Sequence, residues 1–454
     1  MNIGIHGRHL RMVCSLVMGA PAPVLAQTWP PAPFSEATLH SFAGSDGATP
    51  EFVTLLADDK GALYGTTYSG GSGSGAVFKL TPPVFGASQW TETVLYKFSG
   101  SDGANPSSGL IRDSHGSLYG VTQGGGAHNL GAAFKLTPPV SPSTQWSYTK
   151  IYDFSAPNGD VPYNAPIFDG SGALIGAASN GGAYGGGTIY KLTPPASPGS
   201  QWTAAALYNF VGAADGRIPY TTLLVDTDGA IYGTAEYGGA NNFGVVFALT
   251  PPGANCTPAS PNLWCETVLH SFNGGDGALP VSGLILDSAS GALYGTTQMG
   301  GAYNQGVVYS LTPPTPPSTQ WLETVLLSFA GGQDGANPYP PLIQKGGSLY
   351  GATFAGGGTG CGGFGCGTLF ELAPPNPPTL RWTENILYRF TGGSDSGNPT
   401  GGLIFNELHF GSGSSIYGVA SGFNTAGNGS VFALQCAKAA REVFGGAQHA
   451  ACTQ

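Results

Sequence analysis

The stretch WTETVLYKFSGSDGANPSSGLIRDSHGSLYGVTQGGGAHNLGAAFKLTPP, residues 90–139, decides the fold. It holds four short apolar runs, Thr93 to Phe98, Gly109 to Asp113, Ser117 to Thr122 and Gly131 to Leu136, parted by clusters of Gly, Pro, Asp and Ser. Runs of that length, rich in β-branched and aromatic residues and bounded by turn formers, suit strands rather than helices. The unit recurs seven times, anchored by Phe42, Phe98, Phe154, Phe210, Phe272, Phe329 and Phe390 at spacings of 56, 56, 56, 62, 57 and 61. Six of these have a Trp eight residues earlier: Trp90, Trp146, Trp202, Trp264, Trp321 and Trp382.

Four strands in about 56 residues is the size of a propeller blade, whereas solenoid coils run to about 20 to 30 residues. The chain opens its repeats with a lone outer-type strand, Ala37 to Phe42, and closes them on a third-type strand, Val431 to Leu434. Joining the two completes the last blade and leaves no open sheet edge. The expected fold is all-β: a seven-bladed β-propeller of four-stranded blades over residues 36–436, the last blade closed by the N-terminal strand. Residues 27–35 read as a linker and 437–454 as a C-terminal tail.

The units, with their L-Y-G-T-T, G-G and V-F-x-L signatures, resemble the GloVer repeats of "choice-of-anchor" tandem-repeat proteins, which are exported bacterial proteins. The resemblance covers residues 36–436. It implies export and a propeller-like repeat domain, and it assigns no activity. Members of such families typically end in an anchoring segment; residues 440–454 contain no hydrophobic anchor helix.

Composition and chain ends agree with export. Gly (75) and Pro (36) are abundant, but 41% hydrophobic and 11% aromatic residues supply a large core, and only 9% charged residues argue against disorder of the highly charged kind. Residues 1–26 carry Arg8 and Arg11 before an apolar stretch and end Val24-Leu25-Ala26, the pattern of a secretory signal peptide. Its removal leaves Lys+Arg at about 13 against 25 acids. An acidic chain without a basic run is a poor partner for nucleic acid, and no stretch reaches the roughly 18 to 20 apolar residues that span a membrane. The product is expected to be a secreted, periplasmic or extracellular monomer. After loss of Cys14, six cysteines form three local pairs, Cys256 with Cys265, Cys361 with Cys366 and Cys436 with Cys452, and disulfides fit these better than zinc.

In a four-stranded blade the loop entering the innermost strand and the loop joining strands two and three share a face. The first carries Asp46, Asp102, Asp215, Asp276, Asp334 and Asp395 beside glycines; the second carries Gly-Gly pairs. Such repeated residues serve turns, Asp by capping the backbone and Gly by adopting positive φ. One acid per loop cannot assemble the six to eight oxygens of a calcium site, and the G-x-G-x-x-G at Gly358 precedes no helix. No metal or cofactor is expected. His40 and His270, two residues before the blade Phe, read as exposed surface.

Function is better sought where the repeat breaks. Glu51, His128, Asp160, Arg217 and Glu236 are unrepeated titratable residues on that face. A hydrolase or lyase would use Glu51 or Glu236 as acid or base, with Arg217 steadying a carboxylate substrate. Solvated loop charge is the alternative, since no nucleophile and base are locally paired. The loops also offer His128, Asn129, Tyr184, Tyr237, Asn241, Asn242, Tyr303 and Asn304, aromatic faces beside amides that suit glycans or peptides. The expectation is a non-catalytic recognition or scaffold module binding a glycan or another extracellular protein, with an extracellular carbohydrate-active hydrolase or lyase as the second reading.

Overall fold

The computed structural model describes residues 34–84, 89–197, 201–253, 256–259, 262–377, 381–406, 415–422 and 427–436. The expected signal peptide and the tail after residue 436, with Cys452 of the expected third cysteine pair, lie outside these. The first blade shows how the repeat folds. Strands β2 (Leu56–Ala57), β3 (Leu63–Thr67), β4 (Ala76–Thr81) and β5 (Thr91–Lys97) form one antiparallel sheet in chain order. Six further sheets repeat it, giving seven blades, the third with its innermost strand split into Asp160–Pro162 and Ile167–Phe168.

The seventh blade is built from both ends of the repeat region. Its first three strands are Ile404–Asn406, Ser415–Ala420 and Ser430–Cys436, and its fourth is β1 (Phe34–Ser41). The pairing runs antiparallel from Phe34 opposite Cys436 to Ser41 opposite Ser430, with an irregularity between Thr38 and His40. The expected closure is therefore present, and β1 begins inside the stretch that reads as a linker. No helix among the described residues is long and apolar enough to cross a membrane.

The L-Y-G motif explains how the blades pack. In β3 and its equivalents Gly sits opposite the aromatic residue of the third strand, as Gly65 pairs with Phe78 and Gly233 with Phe247. A Cβ on Gly233 would lie 2.7 Å from the Phe247 ring and 3.0 Å from the Thr221 methyl, so the ring occupies the space a side chain would need. Gly233→Ala should therefore destabilise the protein by about 1 to 3 kcal/mol, the usual cost of overpacking. Urea denaturation would measure it, and an unchanged midpoint would contradict this packing account.

The core lies between blades as much as within them. Phe98, Leu118, Phe134 and Leu136 of the second blade share a cluster with Tyr64 and Val77 of the first, and Trp146 packs against it. In four of the seams the Trp that leads an outer strand meets a Tyr of the preceding blade edge-on: Trp146 and Tyr64 at 6.4 Å, Trp321 and Tyr232 at 6.4 Å, Trp382 and Tyr294 at 6.1 Å, and Trp90 and Tyr417 at 6.1 Å. The last of these joins the first blade to the seventh.

Disulfides Cys256–Cys265 and Cys361–Cys366 are formed, with Cα separations of 5.7 and 5.2 Å. Both are local staples, as their spacing suggests, and they fit a protein that reaches an oxidising compartment.

Candidate functional site

Each seam of the ring carries the same backbone device. The residue before the repeated Pro adopts a left-handed conformation in all seven blades: Thr49, Asn105, Val161, Ile218, Leu279, Asn337 and Asn398, with φ between 53° and 57°. For Val161 and Ile218, which are β-branched, this is a costly region. The gain is visible in the hydrogen bonds. The N–H of each donates to a carbonyl in the preceding blade, from Asn105 to Ser74 at 2.9 Å through to Thr49 to Asn428 at 2.7 Å, which closes the ring.

The two loops of the face are also zipped to one another. Ala48 bridges Ser69, Ala104 bridges Gly124, Arg217 bridges Tyr237, Ala278 bridges Met299, and Ala336 bridges Ala355. In the third blade the contact is a strand pairing, Asp160 with Asn180. The repeated aspartates accept backbone N–H bonds, as from Ala43 to Asp46 at 2.8 Å and from Ser99 to Asp102 at 2.9 Å. Against the cost of burial, hydrogen bonds from Tyr96 and Ser99 hold Asp102 below the usual carboxylate range.

With backbone and repeated side chains so committed, chemistry falls to the residue after each Pro and its neighbours. There the repeat is broken by Glu51, Tyr163, Tyr220 and Tyr339. These residues come from the first, third, fourth and sixth blades, and the structure brings them together. Tyr163 and Tyr220 lie 4.2 Å apart between ring centres. Phe52 reaches across the ring to Tyr220 at 5.5 Å and Tyr339 at 6.0 Å, and Tyr339 meets Phe354 at 5.5 Å. Phe52 itself has φ of 54°, a second left-handed residue that the other six units lack at this position. An outlier of this kind costs on the order of 1–3 kcal/mol and persists only where the surroundings over-determine it.

Two carboxylates accompany the rings. Burial pushes both Glu51 and Glu236 above the ordinary carboxylate range. At Glu236 the neighbouring Tyr237 hydroxyl and the Arg217 charge work against that rise, and the Arg217 guanidinium lies over the Tyr237 ring at 5.0 Å. Glu51 has no side-chain hydrogen bond or ion pair among the described residues. Burial first, and then the charges of both glutamates, raise Tyr163, Tyr220 and Tyr339 above the usual phenol range, so their hydroxyls stay protonated and able to donate. Gln298 donates its amide to the Tyr339 hydroxyl. The arrangement is an aromatic floor with two acids and several neutral hydrogen-bonding groups.

Of the residues singled out from sequence, Glu51, Arg217, Glu236 and Tyr237 belong to this centre. His128, Tyr184, Asn241 and Tyr303 stand instead on the outer rim of the face; Tyr184 and Tyr303 are 51% and 61% exposed. Asn129 and Asn304 are turn residues with φ of 56°, and their side-chain oxygens accept from the N–H of Gly125 at 3.1 Å and Gly300 at 3.0 Å. Asn242 does the same for Gly238. Asp160 lies on the innermost strand of the third blade, with one carboxylate oxygen buried and unpartnered. Sequence reasoning missed Phe52, Tyr163, Tyr220, Tyr339 and Phe354. The signal that points to the tyrosines is the aromatic break at positions that elsewhere hold Ser, Val or Thr.

His40 and His270 are not exposed surface. Each is half-buried and meets an aspartate, His40 with Asp46 at 3.0 Å and His270 with Asp276 at 3.2 Å. In other blades a Tyr makes this contact, Tyr208 with Asp215 and Tyr388 with Asp395 at 3.1 Å. Histidine thus substitutes for a structural donor. Glu323 brings a third potential ligand atom within 4.8 Å of His270 and Asp276, a grouping that the same seam contact accounts for.

The Gloeobacter/Verrucomicrobia repeat matches over residues 28–162, 85–285, 140–364 and 257–445. No curated protein is significantly similar to the chain. Similar solved structures include a protein of unknown function from Dyadobacter fermentans, 10% identical over 88% of this chain and 98% of that one, with a TM-score of 0.43. They also include a candidate 6-phosphogluconolactonase from Bacteroides uniformis, 14% identical over 80% and 91% of the two chains, with a TM-score of 0.43. A third is a family 25 polysaccharide lyase bound to a saccharide, 9% identical over 87% and 95%, with a TM-score of 0.40.

Proposed function

We propose that this chain, which belongs to the Gloeobacter/Verrucomicrobia repeat family, is an exported recognition module that binds a glycan at the centre of its loop face. The observation that carries the reading is the convergence of unrepeated residues from four blades on one aromatic floor. Symmetry accounts for the rest of the face, while Tyr163, Tyr220, Phe52 and Tyr339 break it and pack on one another. Aromatic faces stack on sugar rings, and protonated phenols, Gln298 and the two acids offer hydrogen bonds to hydroxyls. Export is supported by the signal-like residues 1–26 and by the two disulfides.

A glycan array on the purified protein, read for both retained ligand and released fragments, tests this. Tyr220→Ala should weaken binding about 10- to 100-fold, the equivalent of the roughly 1.5 to 3 kcal/mol carried by one buried aromatic side chain. Tyr303→Ala, on the rim, should leave it within about twofold. Loss of binding on the rim variant with retention in Tyr220→Ala would move the site outward and defeat the reading.

A second reading is kept because burial raises both Glu51 and Glu236, as an acid catalyst requires. Released fragments that vanish on Glu51→Gln or Glu236→Gln would make the protein a carbohydrate-active hydrolase or lyase.

A further inference from the structure

We infer that His270, Asp276 and Glu323 form a zinc site that fastens the fourth blade to the fifth. His270 stands on the outer strand of the fourth blade, Cys265–Ser271, and Asp276 on the loop that follows it; Glu323 stands on the outer strand of the fifth, Leu322–Ser328. One potential ligand atom from each lies within 4.8 Å of the other two. The Nε2 of His270 is 3.2 Å from the Oδ2 of Asp276. Two ligands bound to one tetrahedral zinc at about 2.0 Å stand about 3.3 Å apart, so this pair is already at a ligating separation. Glu323 supplies the third ligand from across the seam. Its Oε1 is buried and has no hydrogen-bond partner among the described residues. A buried oxygen left in that state costs stability, and a cation shared with two further ligands would offset the cost.

The seam contact brings the three residues together, and the other seams show what is particular to this one. Glu92, Glu266 and Glu384 hold equivalent places, and each has a buried, unpartnered oxygen. Beside Glu266 the aspartate is met by the Tyr208 phenol, which is no zinc ligand at neutral pH, and beside Glu384 the equivalent residue is Leu327. Glu92 shares its seam with His40 and Asp46, but among the described residues only the set at His270 brings three ligand atoms within 4.8 Å. The ligands are also held in place. Phe272 meets the His270 ring edge-on at 4.8 Å, and the Asn273 amide donates to Asp276 Oδ2 at 2.7 Å. Outer contacts of this kind orient metal ligands. The side chains of His270 and Asp276 are 18% and 14% exposed, so solvent reaches the pair and can supply a fourth ligand. An imidazole with two carboxylates suits zinc, whereas calcium and magnesium take about six or more oxygens. On binding, the ion takes the place of the proton between His270 and Asp276, which leaves to solvent.

Calorimetric titration of the chelator-treated protein with zinc chloride, with calcium and magnesium chlorides as comparators, tests the site. Zinc should bind at about one equivalent per chain, and zinc at about 100 times its Kd should raise the melting temperature by about 3 °C. His270→Tyr places at this seam the residue type that Tyr208 and Tyr388 provide at others, where it meets the aspartate. The metal-free variant should therefore melt within about 2 °C of the parent, while its zinc affinity falls by about 100-fold. Glu323→Gln should lower the affinity by about tenfold or more, and His40→Tyr should leave it within about twofold. A melting temperature that zinc raises no more than calcium does would overturn the inference. So would zinc binding to His270→Tyr as tight as to the parent. An equal loss in His40→Tyr and His270→Tyr would also overturn it, since the ion would then not be held by this set of three.

Discussion

Deleting residues 34–41 should lower the melting temperature by more than about 10 °C or leave the protein insoluble. The segment is the whole of β1, the fourth strand of the seventh blade, paired along its length with Ser430–Cys436. It contributes a run of backbone hydrogen bonds worth about 0.5 to 1.5 kcal/mol each, together with the burial of Phe34. Its loss would also leave a sheet edge open beside the first blade, an invitation to aggregation. Calorimetry measures the effect, and a melting temperature within about 2 °C of the intact chain would defeat the closure argument. A synthetic peptide of the deleted sequence, added in trans, should restore part of the loss by strand addition.

The protein should also be markedly more stable at pH 5 than at pH 9. Four glutamates of the outer strands lie in the seams between blades. Burial, and secondarily the neighbouring Asp215 and Asp334, push Glu266 and Glu384 up to about 8. Burial with Asp46 and Asp276 pushes Glu92 and Glu323 up to about 7. Each has a buried carboxylate oxygen without a partner. The folded chain therefore holds these protons where the unfolded chain, titrating near 4.5, has released them. That contribution is complete below about pH 4.5 and is lost as pH rises through 7 to 8.

Asp102, Asp113 and Asp169 act in the opposite sense, losing their contribution as pH falls below the usual aspartate range. Stability should thus peak in mildly acid solution. A tenfold change in proton affinity between the folded and unfolded chain carries roughly 1.4 kcal/mol, and solvent reaching the glutamates screens this to about half. The four together should still move the melting temperature by about 5 °C. Replacing all four by Gln should flatten the profile between pH 5 and 9. A profile that keeps its slope in that variant would place the titrating groups elsewhere.

The fold was legible because its signals repeat. Phe at spacings near 56, the Gly of L-Y-G and the Trp eight residues before Phe each mark one contact made again in every blade, so noise in one unit is corrected by the others. The site was legible only in part, for the opposite reason. Tyr163, Tyr220 and Tyr339 each break the repeat in their own unit, and their proximity arises from closure of the ring rather than from local spacing. Glu51 and Glu236 stood out because charge is scarce in this chain, whereas three more tyrosines among twenty did not. Asn129 and Asn304 looked like ligand contacts because the composition of a turn and of a sugar site overlap, and the left-handed backbone that separates the two cannot be read from a side chain. His40 and His270 looked exposed because the aspartate each one meets lies around the loop that follows its strand.

The pairing of β1 with Ser430–Cys436 also sets an order in time. The two partners are separated by about 400 residues, so a chain emerging from the ribosome presents β1 before its partner and must keep it unpaired until that strand arrives. The early blades can assemble on their neighbours, but the ring locks only once that strand is in place. A truncated product lacking it carries an orphan β1, an unpaired strand edge that can template aggregation until its partner is made.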